Sequence, residues 1–210
     1  MSIKDDTKAV WKAILSTEKQ KTVAFISPIV CKQFGTLLGA PSGSDCTGKV
    51  ATMLRRIGFH RICLTGISVT VCPAWRSYLE KRHPALTEKL SSCGTPWERA
   101  AAECRSACAE EPVYITVFTP CTAAKATTDA ADAVLTAREL ATMWKRACVS
   151  SFTAMEEWQR LPEETFDASL VDAPEAEVAA YGLAEAEHLL AIGKLRNLNV
   201  LACPGGCGAK

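Results

Sequence analysis

The sequence predicts an α/β fold, and three observations carry that reading. Short β-branched and aromatic runs alternate with stretches of helical periodicity. No internal repeat is present. The length, 210 residues, suits one domain or one two-lobed domain with room for a real core. Composition adds little beyond this: 48% hydrophobic and 22% charged is ordinary for a globular protein, and a net charge of +1 points neither to nucleic acid nor to an anionic membrane surface.

The elements follow in order. Met1–Thr17 is charged and reads as an amphipathic helix, with Val10, Trp11, Ile14 and Leu15 at helical spacing. It has no apolar h-region and no cleavage site, so no secretory signal is expected and the chain is expected in the cytoplasm. No apolar run approaches the roughly 20 residues of a membrane span. Thr22–Ser27 reads as a strand that Pro28 ends. Val30–Leu38 reads as a helix, Ala40–Asp45 as a Pro/Gly/Ser loop, and Thr47–Ile57 as a helix with Asp45 near its start. Arg61–Thr65 is a second strand. Pro73–Lys81 reads as a helix with proline in its first turn. Trp97–Ala109 is a further helix and Val113–Phe118 the strongest strand. Asp132–Leu135 reads as a short strand, Ala137–Ala147 as a helix, and acidic Pro162–Ala173 as a loop at a lobe junction. Alanine-rich Ala176–Ile192 predicts a long helix, and Asn199–Ala202 a last strand leading into Cys203.

Cysteine is the outlier, with 11 in the chain, an odd number. Without an export signal a disulfide framework is not expected, which leaves cluster ligation, redox chemistry or burial. Cys203-Pro204-Gly205-Gly206-Cys207 is the strongest local pattern. Two thiolates around a proline and two glycines suit a tight turn whose bare backbone passes close to an inorganic cluster. The competing reading is a tail with two stray cysteines. Cys72, before Pro73, and Cys121, after Pro120, both follow predicted strands, where open α/β sheets carry their ligands. Cys63 lies mid-strand and reads as core, as do Cys31, Cys46 and Cys148 on helices. Cys104 and Cys108, four apart on one helix face, read as a packing face in preference to a redox or ligand pair, with Cys93 near them in sequence.

Three motifs together resemble the signatures of the iron-only (FeFe) hydrogenases. These are Val71-Cys72-Pro73-Ala74-Trp75, Thr119-Pro120-Cys121-Thr122-Ala123-Ala124-Lys125 and the Cys203–Cys207 motif, in the family's order. Val23–Pro28, Tyr78–Pro84, Leu90–Cys93, Asp132–Leu140 and Tyr181–Ala184 resemble further family segments. The resemblance implies a two-lobed H-domain with small parallel or mixed sheets flanked by helices and a cluster at the lobe interface. It implies one minimal catalytic domain over residues 1–210, with a helix over 1–18 and no ferredoxin-like accessory domain. The implied cofactor is an H-cluster, a 4Fe–4S cube bridged to a two-iron CO/cyanide unit. Cys72, Cys121 and Cys203 match cube ligands, and Cys207 matches the bridging thiolate. Pro28, Val71, Thr119 and Leu201 match pocket positions, and Ser91 a relay serine. Implied partners are ferredoxin or another small electron carrier, and the hydrogenase maturation proteins; nucleic acid and membrane are not expected.

The departures fall where protons and cyanide are handled. Val71 holds the position of the relay cysteine, and Ala124 that of the cyanide-pairing lysine, leaving Lys125 one position along as its substitute. Thr119 and Leu201 replace two methionines, Trp97 a glutamine and Asn199 a glutamate. They favour an alternative, a non-catalytic 4Fe–4S protein on the same fold acting in electron transfer, sensing or cluster assembly. Two other patterns weigh less. Gly43–Val50 nearly reads as a phosphate-binding loop, but a helix precedes it and Val50 follows the lysine where a hydroxyl is needed, so a loop with a helix start is expected. The three histidines have no partner at catalytic spacing, and the carboxylates of residues 156–177 read as a solvated surface.

Overall fold

The computed structural model describes residues 5–17, 20–26, 28–65, 77, 80–87, 96–119, 122, 125, 130–147, 151–152, 165–166, 175–178 and 199–202. The chain runs α1 (Thr7–Ile14), β1 (Lys21–Ile26), α2 (Pro28–Leu37), α3 (Thr47–Ile57), β2 (Arg61–Thr65), α4 (Pro84–Thr87), α5 (Pro96–Ala107), β3 (Val113–Phe118), β4 (Ala133–Leu135), α6 (Ala137–Arg146), β5 (Thr165–Phe166), β6 (Glu175–Val178) and β7 (Asn199–Ala202). Five strands form one sheet in the order β4-β3-β1-β2-β5, and β6 and β7 form another. Every pairing is parallel. This is the α/β class that the sequence predicts.

Burial on both faces explains why β1, β3 and β4 are rich in apolar residues and almost wholly buried, as parallel strands are when helices cover them. Successive side chains alternate between two cores. Ala24, Ile26, Ile62, Phe118, Ala133 and Leu135 pack with Val30 and Phe34 of α2, Met53 and Leu54 of α3, and Leu140 and Trp144 of α6. Val23, Phe25, Cys63, Ile115 and Val117 point to the other face, against Ala100, Ala101 and Cys104 of α5. The crossover from β1 to β2 thus covers one face, and α5, between β2 and β3, covers the other.

Carboxylates finish the β4 side of the sheet. Val134 N donates to Asp6 Oδ2 at 3.2 Å, which ties the start of α1 to the outermost strand. Ile115 N donates to Asp132 Oδ2 at 2.7 Å, and the Arg105 guanidinium donates to the same oxygen at 3.0 Å. Buried backbone amides need partners, and these side chains supply them where the ladder stops.

Two expected segments differ. Ala176–Val178, expected as the start of a helix, is strand, paired from Glu175↔Asn199 to Val178↔Ala202. Alanine's helix propensity is a weak prior, and ladder pairing with β7 overrides it; the remainder of that expected helix lies outside the described residues. Within the expected junction loop, Thr165–Phe166 pairs with Leu64 and Thr65 on the outer side of β2. Two residues are too few to show strand periodicity. The helix expected over Pro73–Lys81 lies largely outside the described residues. The first helix is shorter than expected: α1 covers only Thr7–Ile14, with Asp5 and Asp6 before it and Leu15–Thr17 after it outside the helix, while residues 1–4 lie outside the described ones. The Asp5 side chain accepts from Thr7 N at 3.0 Å and so starts the helix there. Other boundaries shift by one or two residues; α2 starts at Pro28, where a first-turn proline loses no hydrogen bond. Asp45 Oδ1 accepts from Thr47 N at 2.9 Å, so a carboxylate occupies an amide that a bound anion would need. The loop-and-helix-start reading of Gly43–Val50 holds. Among the described residues, no helix is long and apolar enough to cross a membrane.

Gly58 ends α3 with φ +121°, and a Cβ there would meet Ile14 Cγ2 at 2.7 Å. Both the backbone conformation and the approach of α1 require glycine. Gly58→Ala should lower stability by about 1–3 kcal/mol, read as a shift of the urea midpoint. A variant within ~0.5 kcal/mol of the parent, the range of inconsequential surface changes, would contradict this account of the α1–α3 contact.

Candidate functional site

Parallel pairing brings the carboxyl ends of the strands to one edge. Ile26 is in register with Leu64 and Phe118, and Phe118 with Leu135. In sequence, Pro28 follows β1, the stretch that contains Cys72 follows β2, and Thr119 and then Cys121 follow β3. The chain goes from β1 to β2 on one side and then to β3 on the other. The strand order therefore reverses between β1 and β3, and open α/β sheets bind ligands at such a switch point. In the second sheet, β7 ends at Ala202, immediately before Cys203.

The individual expected residues divide as follows. Pro28 is the first residue of α2. Thr119 is buried, and its N–H donates to Leu135 O at 2.8 Å. Leu201 lies in β7, in register with Glu177. Cys72, Cys121, Cys203, Cys207, Val71 and Ser91 lie outside the described residues. Among the described residues, no group of three or more His, Cys, Asp and Glu side chains could hold a metal ion.

Lys125 is described, and its surroundings are specific. Its ammonium is ion-paired with Glu139 Oε1; the lysine side chain is 4% exposed and that of the glutamate 21%. The other carboxylate oxygen, Oε2, accepts from both the N–H and the hydroxyl of Thr136, each at 2.8 Å. Thr136 Oγ in turn accepts from Glu139 N at 3.4 Å, completing a capping box on α6. One glutamate thus caps a helix and neutralises a buried lysine four residues after Cys121. Sequence reasoning assigned Glu139 no role. The signal was present as Thr136-x-x-Glu139 ahead of the helical run, which is the capping-box pattern.

None of the described cysteines is in a disulfide. Cys31, Cys46, Cys63 and Cys104 are buried and Cys108 half-buried, as expected of packing residues. Cys46 sits just before α3 and not on it, filling the approach of α3 to Gly35 of α2. Cys104 faces the core beneath α5. Burial pushes its thiol pKa up, and the neighbouring Cys108 adds to the rise. A thiol held in the neutral form is a poor nucleophile.

A profile of the family described as iron only hydrogenase large subunit, C-terminal domain, matches residues 64–179. The periplasmic Fe hydrogenase large subunit of Nitratidesulfovibrio vulgaris is 28% identical over 176 residues, covering 63% of this chain and 42% of that protein. Iron hydrogenase 1 of Clostridium pasteurianum is 28% identical over 203 residues, covering 77% of this chain and 35% of that protein. The chain therefore spans well under half the length of these curated relatives. In fold it is similar to a variant of the FeFe-hydrogenase HydA1 from Chlamydomonas reinhardtii, at a TM-score of 0.68 and 15% identity, over 98% of this chain and 84% of that one.

Alkylation by iodoacetamide at pH 8 should modify Cys108 well before Cys104, with the order read by peptide mass spectrometry. Equal rates would overturn the burial argument. Stability should also decline on the alkaline side: folding raises the pKa of Cys104, and that of Tyr114 through burial and then the nearby Asp132 and Asp6. The unfolded chain releases these protons first, so the stability they contribute is complete below the ordinary thiol and phenol pKa values and is lost as pH rises through the folded ones.

Proposed function

The chain belongs to the iron-only hydrogenase large-subunit family, and from that premise we propose that it binds an H-cluster and interconverts protons and electrons with dihydrogen. The observation that carries this reading is the common sheet edge, since Pro28, the Cys72 segment and Cys121 all follow strands that end there in register. The donor set fits the group chemically. Four cysteines are available at Cys72, Cys121, Cys203 and Cys207, and thiolates are the ligands that iron–sulphur clusters take. Cys72, Cys121 and Cys203 would hold the cube, and Cys207 would bridge it to a two-iron unit. When bound, such a cluster supplies the redox and hydrogen-forming chemistry, which is the cofactor's own.

The protein's part is to bind, orient and exclude water. Pro28, Val71, Thr119 and Leu201 would line the pocket. The buried Thr119, with its N–H already bonded to Leu135, supports a closed wall there. The Ser91 hydroxyl can pass a proton, whereas Val71 has none to give. Electrons would come from ferredoxin or another small carrier, and the two-iron unit from hydrogenase maturation proteins. A second reading has specific support in Val71 and Ala124, which stand where the family pattern has a relay cysteine and a cyanide-pairing lysine. On that reading the same fold carries a cube alone, for electron transfer, sensing or cluster assembly.

Infrared spectroscopy separates the two, because iron-bound CO and cyanide absorb where protein does not. Anaerobic reconstitution followed by maturation with the two-iron precursor should give sharp bands, and Cys207→Ala should abolish them. Val71→Cys should raise hydrogen turnover by about 10²–10⁴-fold if proton delivery limits the rate, the usual worth of a positioned acid–base group. A normal cube signal with no such bands, and no gain from Val71→Cys, would replace the enzyme with the electron-transfer or sensing protein.

A further inference from the structure

We propose that the buried Lys125–Glu139 ion pair is a positioning device for Cys121, resting on the reading of Cys121 as a cluster ligand. The segment 119–125 begins and ends on the same short stretch of chain. At its start Thr119 N donates to Leu135 O at 2.8 Å. At its end the Lys125 ammonium meets Glu139, and Lys125 N donates to Thr122 O at 3.3 Å. Leu135, Thr136 and Glu139 form the β4–α6 corner, which is fixed by pairing of Leu135 with Phe118 and by the capping box. Thr119 and Lys125, which flank Cys121 in sequence, are therefore both tied to one rigid corner.

The choice of an ion pair as the second anchor has a physical reason. A lysine side chain 4% exposed cannot turn back to water without leaving Glu139, and a buried charge without its partner is strongly unfavourable. Glu139 cannot follow the lysine either, because its second oxygen takes two bonds from Thr136. The pair is thus confined to one geometry, and Lys125 is confined with it. Lys125 and Glu139 act through the ligand and not on the reacting atoms.

The test compares the anaerobically reconstituted parent with Lys125→Met, Glu139→Gln, the double variant, and Leu54→Ala, a core truncation on α3 that lowers stability without touching the anchors. Glutamine keeps the capping box with its oxygen on Thr136 and turns its NH2 toward Lys125, so Glu139→Gln removes the charge and the acceptor of the ion pair while leaving the cap. Iron release to a chelator should be faster in each anchor variant by about 10–100-fold, the usual effect of losing a partner that orients a metal ligand. Leu54→Ala should release iron near the parental rate. The double variant removes both charges and should regain stability relative to the singles, yet still release iron fast, because the anchor is gone. Hydrogen exchange in the iron-free proteins is the independent readout: amides of 119–125 should exchange faster in the anchor variants than in Leu54→Ala. Anchor variants that match Leu54→Ala in both measurements would overturn the proposal while leaving the cluster assignment standing. A parent that takes up no cluster would overturn that assignment, and the exchange data would still decide whether the pair fixes this segment. If Lys125→Met does not fold, Glu139→Gln carries both measurements.

Discussion

Strand β1 pairs along its length with β3, from Lys21↔Val113 to Ile26↔Phe118, and on its other side with β2. The remaining architecture follows from that double pairing. A strand with neighbours on both sides and helices on both faces has no solvent-facing position, which is why Thr22 through Ile26 are all buried. Parallel neighbours require long crossovers, and the two crossovers lie on opposite faces. The reversal of strand order between β1 and β3 follows.

Charge is used sparingly and structurally in the described part of the molecule. Asp6 and Asp132 accept from strand amides at the β4 side. Glu139 caps a helix while neutralising Lys125. In each case a carboxylate completes the hydrogen bonding of backbone that burial has cut off from water. The more exposed pairs, such as Lys21 with Glu111, contribute little. The pairs that are shielded from water, Asp6 with Val134 N and Lys125 with Glu139, both involve the β4–α6 region.

The main strands and helices were legible because each carries its own local signal. Thr22–Ser27 and Val113–Phe118 are dense in β-formers, and Ala137–Ala147 has helical periodicity behind a capping pair. The family was legible because three cysteine signatures occur in one order. What escaped depends on partners far away in the chain. Ala176–Val178 is strand only because β7 lies beside it, and Thr165–Phe166 only because β2 offers an edge. Lys125 drew attention as a neighbour of the missing lysine, whereas its engagement with Glu139 depends on how β4 and α6 pack. Asp6 illustrates the same limit: nothing local to it indicates that it bonds Val134.

That last bond has a consequence for how the protein comes into being. Asp6 and Val134 are 128 positions apart, and β1, which leaves the ribosome before β3, has to await β3 before its second ladder can form. Contacts of such long sequence separation slow folding, and transiently unpaired strands invite association with other chains. Synthesis therefore leaves the central strand β1 with an open edge for as long as translation takes to deliver β3.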